Sequence, residues 1–418
     1  RYLADEITQR LGTRLDQLQQ GALVNFVETA CPMHDIGNPP FGHFGEAAIQ
    51  EWFKTHGKKC VLESTGLETE AAPAYQQQLT VALSDFEEFD GNPQGLRIVS
   101  RLQWNTDQFG LNLTKTTLAS FLKYVRSPQE ERSGRPFTKK PGYFMSEQDV
   151  AREVWEEFGC SEKPQRFALA YIMEAADDIA YCVSDLEDSF EKGIIQEATA
   201  FPEIQRRYLE TGMASAAPCQ EVILDVLERM VRASLANDFS SFTYTDFRTR
   251  LNSAIVRYVA QRYVDMEADI ETGELKSLLP EDEPPGAILK VLKDFCREKV
   301  YRHESVQRVE LAGYYAITGL LEHARPLLSC SRKRFEAALM LRNEDEEGRR
   351  ILLEPKLLKL FPQRYLKVYA HQVTHYRGQP HEDFLEWNAR AHLVVDFISG
   401  MTDDFAMTTY RTLAGMRL

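Results

Sequence analysis

Histidine and aspartate stand side by side at His34 and Asp35, within the run ACPMHDIGNPPFGHFGE. An imidazole nitrogen and a carboxylate oxygen are donors suited to divalent Mn, Fe, Ni, Mg or Zn. Two donors do not make a site, and the dipeptide by itself reads first as polar residues closing a helix. Its surroundings add weight. Gly37, Pro39, Pro40 and Gly42 interrupt the helix, and His43 and Glu46 then follow three residues apart, on one face of the next one. An imidazole beside a carboxylate near a metal is what proton transfer to a leaving oxygen, or activation of a water, requires. The plainer alternative leaves Glu46 interacting with a helix N-terminus and His43 packed nearby.

A second acidic constellation occurs in YIMEAADDIAYCVSDLED. Asp177, Tyr181 and Asp185 fall at i, i+4 and i+8, one stripe about two turns long, while Ile179, Cys182, Val183 and Leu186 supply the buried side. The stripe is either a substrate wall with a metal-ligating aspartate or a solvated acidic face. Positive charge gathers at Lys115, Lys123, Arg126, Arg135, Lys139 and Lys140, in position to neutralise a phosphate chain or simply to solvate a loop.

The elements that must hold these residues read as helices. Apolar residues recur at helical spacing, as at Leu3, Ile7 and Leu11, and runs rich in Val, Ile and Thr are scarce, so the fold class is all-α. Helices are predicted over 1–20 and 22–33, parted by Gly21, and over 43–56. The polar 57–80 reads as a loop or partly ordered insertion, with helices resuming over 81–105 and 110–125. Residues 127–144, rich in Pro, Gly and basic side chains, form a long loop. Two helices follow within 146–192, the second over about 164–190, and further helices extend to 383–399, where Gly400 ends the last. The acidic, proline-containing 270–285 is the best internal connector.

Composition narrows the function. The 418 residues carry 49 Lys and Arg against 63 Asp and Glu, a net charge of -14, which disfavours general attraction to nucleic acid or anionic lipid. Any polyanion site is therefore local. Seven scattered cysteines without a CxxC pair point to reduced thiols. No run of about 18 uncharged apolar residues suggests a membrane span, so a cytoplasmic location is expected. Because the chain opens on Arg1 in mid-helix, the natural protein is expected to begin upstream.

Taken together, HDIGNPPFGHFGE, GLNLTKTTLASFLKY, DDIAYCVSDLED and DFISGMTDDFA resemble the deoxynucleoside triphosphate triphosphohydrolases of the HD superfamily, in particular the bacterial dGTPase branch, across the whole chain. The resemblance implies an HD-domain metal and catalytic core over 1–200, with helices over 201–418 completing the nucleotide pocket and oligomer contacts. It implies cleavage of dNTP, dGTP favoured, to deoxynucleoside and inorganic triphosphate by attack at the α-phosphorus, with a divalent metal ion (Mn, Mg, Fe, Ni or Zn). At the matching positions His34, Asp35 and Asp177 are metal ligands, and His43 and Glu46 the catalytic pair. Tyr181 would crowd out a ribose 2′-hydroxyl, Asp185 would accept from the 3′-hydroxyl, and Lys123 and Lys140 resemble lysines of the phosphate chain. Glu310 resembles a residue near the guanine pocket, and Tyr301 is placed to stack on a base. The family also implies a homo-oligomer, a hexamer being one form, and single-stranded DNA is a candidate effector. Such enzymes take a further metal-binding histidine from an N-terminal helix, and this chain starts after that motif. Two other readings share the ligands: an HD-type nucleotidase or cyclic-nucleotide phosphodiesterase, which leaves DFISGMTDDFA unexplained, and a nucleotide-sensing scaffold without turnover.

Overall fold

The computed structural model describes residues 1–213, 218–238 and 242–416. The described residues are helices and connecting segments without a strand, as an all-α fold requires; only the isolated bridges Arg126 with Pro141 and Glu344 with Arg350 have β character. None of the seven cysteines forms a disulfide. Among the described residues no helix is long and apolar enough to cross a membrane.

The chain groups into two compact units. One comprises Arg1–Pro32, Ala119–Lys123 and Gln165–Arg308; the other comprises Met33–Leu118, Tyr124–Pro164 and Val309–Leu418.

In the first unit the 24-residue helix Ala168–Glu191 packs against Pro284–Lys299 and Tyr244–Asp265. Its buried residues include Ile179, Cys182, Val183 and Leu186, the stripe expected from the sequence. A capping box at Thr243, closed by Asp246, starts the helix Tyr244–Asp265. Tyr244 then reaches across to donate to the Val183 carbonyl at 2.6 Å, fixing the long helix in place. The first break in the chain differs from expectation. It falls at Gly12, which takes φ 53° at the end of Tyr2–Leu11, and the next helix, Gln17–Met33, runs straight through Gly21. An interior glycine costs a helix only about 1 kcal/mol, which packing readily offsets.

In the second unit the helix Glu382–Ser399 is surrounded on nearly every side, packing on Gln363–Tyr376, Gln76–Glu87 and Lys58–Thr65. Trp387 meets Phe53 and Phe86 edge-on, and those two rings stack at 4.6 Å. A helix buried all round must pair whatever charge it carries. Glu386 therefore binds Arg390 at 2.6 Å, and His392 lies 3.0 Å from Asp85. The expected loop over 57–80 is instead helical, with Lys58–Thr65, a 3-10 segment Thr69–Tyr75 and the start of Gln76–Glu87. Buried Cys60, Val61, Leu62 and Leu79 supply the apolar side that the polar composition obscured. The helix expected over 110–125 shrinks to Lys115–Phe121, because Gly110 and Asn112 both take positive φ. The 127–144 segment is irregular, as expected.

Candidate active site

Asp35 and His34 leave the C-terminal end of Gln17–Met33. In the second unit His34 Nε2 lies 3.2 Å from Asp35 Oδ2, and Asn38 Nδ2 donates to Asp35 Oδ1 at 2.8 Å. Two donors bound at right angles to one cation, with bonds of about 2.1 Å, stand about 3 Å apart. The spacing and donor types of His34 and Asp35 thus fit a divalent ion.

The helix His43–Trp52 begins after Gly42, with Glu46 in its first turn. Glu46 is buried and its two oxygens are divided: Oε1 accepts from the Gly91 amide at 2.8 Å, and Oε2 lies 2.8 Å from His43 Nδ1. Their hydrogen bond is the largest cause holding the pKa of the exposed His43 above its ordinary value, and it outweighs the opposing effect of desolvation. Fixing Nδ1 leaves Nε2 as the imidazole's working nitrogen. The pair opens into a cleft of about 680 Å³, lined also by Asp90, Arg132, Lys139 and Lys140. Lys140 Nζ lies 2.5 Å from Asp90 Oδ2; burial opposes its charge, but Asp90 and Glu46 outweigh that and raise its pKa.

The other basic residues divide. Buried Arg126 spends its guanidinium on Glu88 and on the carbonyls of Thr138 and Ser127, so its role is to tie the loop down. Arg135 donates to the Pro164 carbonyl at 2.9 Å, and Lys115 pairs with Glu157 at 3.4 Å.

The sequence-predicted residues of the first unit gather along Ala168–Glu191. Lys123 Nζ lies 3.7 Å from both Asp177 Oδ2 and Glu174 Oε1, a cation already drawn to these carboxylates. Arg166 shares Glu174 and holds the Lys123 carbonyl at 3.0 Å. Burial raises the Cys31 thiol, and the Asp177 carboxylate adds to that rise. Further along, exposed Tyr181, half-buried Asp185 and Tyr301 come together. Tyr301 donates its hydroxyl hydrogen bond to Asp185, burial raises the Asp185 carboxyl against that bond, and burial together with Asp185 and Tyr181 raises Tyr301.

Glu310, in the second unit, lies on Glu304–Ser329, where burial raises its carboxyl. One turn on, Gly313 lets this helix touch the turn before His43: a Cβ there would stand 2.2 Å from the Phe41 ring. Asp90, Asn92 and Phe41 were missed in the sequence. The Asp-Gly-Asn-Pro run offered a signal, since Asp90 is an N-cap whose side chain accepts from Asn92 N at 3.0 Å.

An all-α fold, with a His-Asp pair fit for a cation followed by a carboxylate-held histidine in a basic cleft, has the makings of a phosphohydrolase of the HD class. Residues 359–412 match the phosphohydrolase-associated domain. A Pseudomonas aeruginosa protein named probable deoxyguanosinetriphosphate triphosphohydrolase is 34% identical over all of this chain and 84% of its own length. The deoxyguanosinetriphosphate triphosphohydrolases of Salmonella typhimurium and Salmonella paratyphi A are 34% and 35% identical, each over 99% of this chain and 84% of their own. The chain belongs to the deoxyguanosinetriphosphate triphosphohydrolase family and is an enzyme of that kind.

Proposed function

We propose that this enzyme hydrolyses dNTPs, dGTP before the others, to deoxynucleoside and inorganic triphosphate, in a reaction that needs a divalent cation such as Mn or Mg. The observation that carries the reading is the division of Glu46 between the Gly91 amide and His43, within a cleft that also holds Lys139 and Lys140.

Water adds at the α-phosphorus and releases a proton to solvent, the bond from phosphorus to O5′ breaks, and O5′ must gain a proton, since an alkoxide leaves poorly. His43 is suited to donate it. Glu46 holds Nδ1 and sustains the imidazolium, so Nε2–H serves as the acid. Lys140 and Lys123 offset the charge of the triphosphate that remains. The cation's ligands would be His34, Asp35 and Asp177, and when bound it would draw charge from the α-phosphate oxygens. Asp185 accepts the sugar 3′-hydroxyl, and Tyr181 crowds C2′ so that a ribose 2′-hydroxyl is refused. Tyr301 stacks on the base as well as holding Asp185. Glu310 accepts from guanine N1–H and N2–H, bonds that gain strength because its carboxylate is partly desolvated. The reading includes a cytoplasmic homo-oligomer, such as a hexamer, with single-stranded DNA as effector.

Product analysis over the four dNTPs and GTP, with Mn or Mg, tests reaction, base and sugar together. Tripolyphosphate and deoxyguanosine from dGTP, with little turnover of GTP, are expected. Pyrophosphate with a nucleoside monophosphate would reject the reading.

A further inference from the structure

The seven-residue helix Gly91–Arg97 touches, within the second unit, several groups to which the proposed function assigns work. Its first amide donates to Glu46 Oε1 at 2.8 Å, which commits the other oxygen to His43. Its N-cap, Asp90, holds Lys140 at 2.5 Å. Its glycines lie directly on the turn after His34 and Asp35. A Cβ at Gly37 would stand 2.0 Å from the Gly91 carbonyl oxygen and 2.2 Å from Gly95 N, and one at Gly91 would stand 2.3 Å from Asn38 Oδ1. Asn38 in turn holds Asp35.

The helix runs on into the π-helical turn Ile98–Leu102. Side chains anchor it at that junction. Arg97 sets Nε and Nη2 on Asp396, at 2.9 and 2.8 Å, and Nη1 on Glu147 at 2.8 Å; Gln94 Nε2 adds a bond to Asp396 Oδ1 at 3.0 Å. Arg97, Glu147 and Asp396 are each at most 1% exposed, where a planar fork gripping a carboxylate admits little movement. Burial works against the guanidinium charge, and the two carboxylates outweigh it. Asp396 belongs to DFISGMTDDFA, and Asp403 of the same motif accepts from the Phe41 amide at 2.9 Å, in the turn that leads into His43.

We infer that Arg97 and Asp396 are positioning residues: they seat the helix Gly91–Arg97 so that the Gly91 amide holds Glu46 in the orientation that engages His43. The motif DFISGMTDDFA thereby acts on the catalytic pair from behind it, through Arg97 at one point and Phe41 at another. This rests on the reading of His43 and Glu46 as the catalytic pair.

The test uses the full chain with Asp396→Asn, the milder Arg97→Lys, and Glu386→Gln as comparison. Glu386→Gln breaks another fully buried pair, with Arg390, that does not hold this helix. Steady-state kinetics on dGTP are paired with hydrogen–deuterium exchange over residues 88–96 and with melting temperatures. Asp396→Asn and Arg97→Lys are expected to lower kcat about tenfold or more with KM within about threefold, as when an interaction made only in the transition state is lost. They should also speed exchange of the Gly91 amide about tenfold. Glu386→Gln should melt as early or earlier, yet keep kcat and Gly91 exchange within about twofold of the unsubstituted chain. Unchanged Gly91 exchange in Asp396→Asn, or equal losses in Glu386→Gln at equal melting temperature, would overturn the inference. If the unsubstituted chain releases no triphosphate from dGTP, the proposed function fails, while the exchange comparison still decides the positioning role.

Discussion

The Tyr301 hydroxyl donates its hydrogen bond to the Asp185 carboxylate. A carboxylate has acceptor sites to spare, so Asp185 remains able to take the sugar 3′-hydroxyl while Tyr301 holds its orientation. A hydrogen bond to a charged group contributes about 1.5–3 kcal/mol, or roughly 10- to 100-fold. Asp185→Ala should therefore reduce the preference for dGTP over its 3′-deoxy analogue by that factor. Tyr301→Phe, which leaves the acceptor in place, should cost less. Competition assays with the two nucleotides give the ratio, and an undiminished preference in Asp185→Ala would rule out the contact.

The pH profile follows from His43. Its bond to Glu46 raises the pKa, so the imidazolium persists to higher pH than in an unpartnered histidine. Turnover that uses His43 as an acid is present below that raised pKa and is lost as pH climbs through it. Glu46→Gln removes the anion, and the alkaline limb of kcat/KM should retreat toward the ordinary histidine range near 6.5. A limb that stays in place in this variant would assign it to another group.

Cation dependence can be read both in turnover and in binding. Chelation should abolish activity and Mn or Mg restore it. Calorimetric titration of Mn into His34→Ala or Asp177→Asn should show affinity at least about tenfold weaker, since removing even a supporting partner of a ligand costs 10- to 100-fold. Equal affinity in both variants would remove these residues from the ligand set.

Two glycines should respond in opposite directions. Gly37→Ala drives a methyl into the backbone of Gly91 and Gly95, and overpacking against backbone should cost about 3 kcal/mol or more. Gly21 lies inside Gln17–Met33 with nothing near its missing Cβ, so Gly21→Ala should add roughly 0.5–1 kcal/mol. Scanning calorimetry of the pair checks both, and a stable Gly37→Ala would show that the turn is not tightly seated.

Much of this was legible in the sequence, where chemistry follows from local spacing. The three-residue step from His43 to Glu46 does place an imidazole on a carboxylate, and the four-residue steps through Asp177, Tyr181 and Asp185 do run along one helix whose other side is buried. The breaks at Gly12, Gly110 and Asn112 were not legible, since glycine and asparagine permit positive φ without demanding it. Nor was the part of Asp396. It reads as one acid among many until the fold buries it with Arg97, some 300 positions away in the chain. Arg126 misled for the same reason: its charge suggested phosphate, but its surroundings consume it.

The helix Ala168–Glu191 has a consequence for how such an enzyme can change over time. Asp177, Tyr181 and Asp185 are graduations on one rigid ruler, about 6 Å apart. One residue gained or lost after Asp177 would swing everything beyond it by about 100°, taking Tyr181 and Asp185 out of line with it. Under the proposed roles, the residues that gauge the sugar are thus locked in register with Asp177 as a cation donor. Glu310, proposed to meet the base, sits on a separate helix, Glu304–Ser329, so under the proposed roles the base accepted could change without disturbing that spacing.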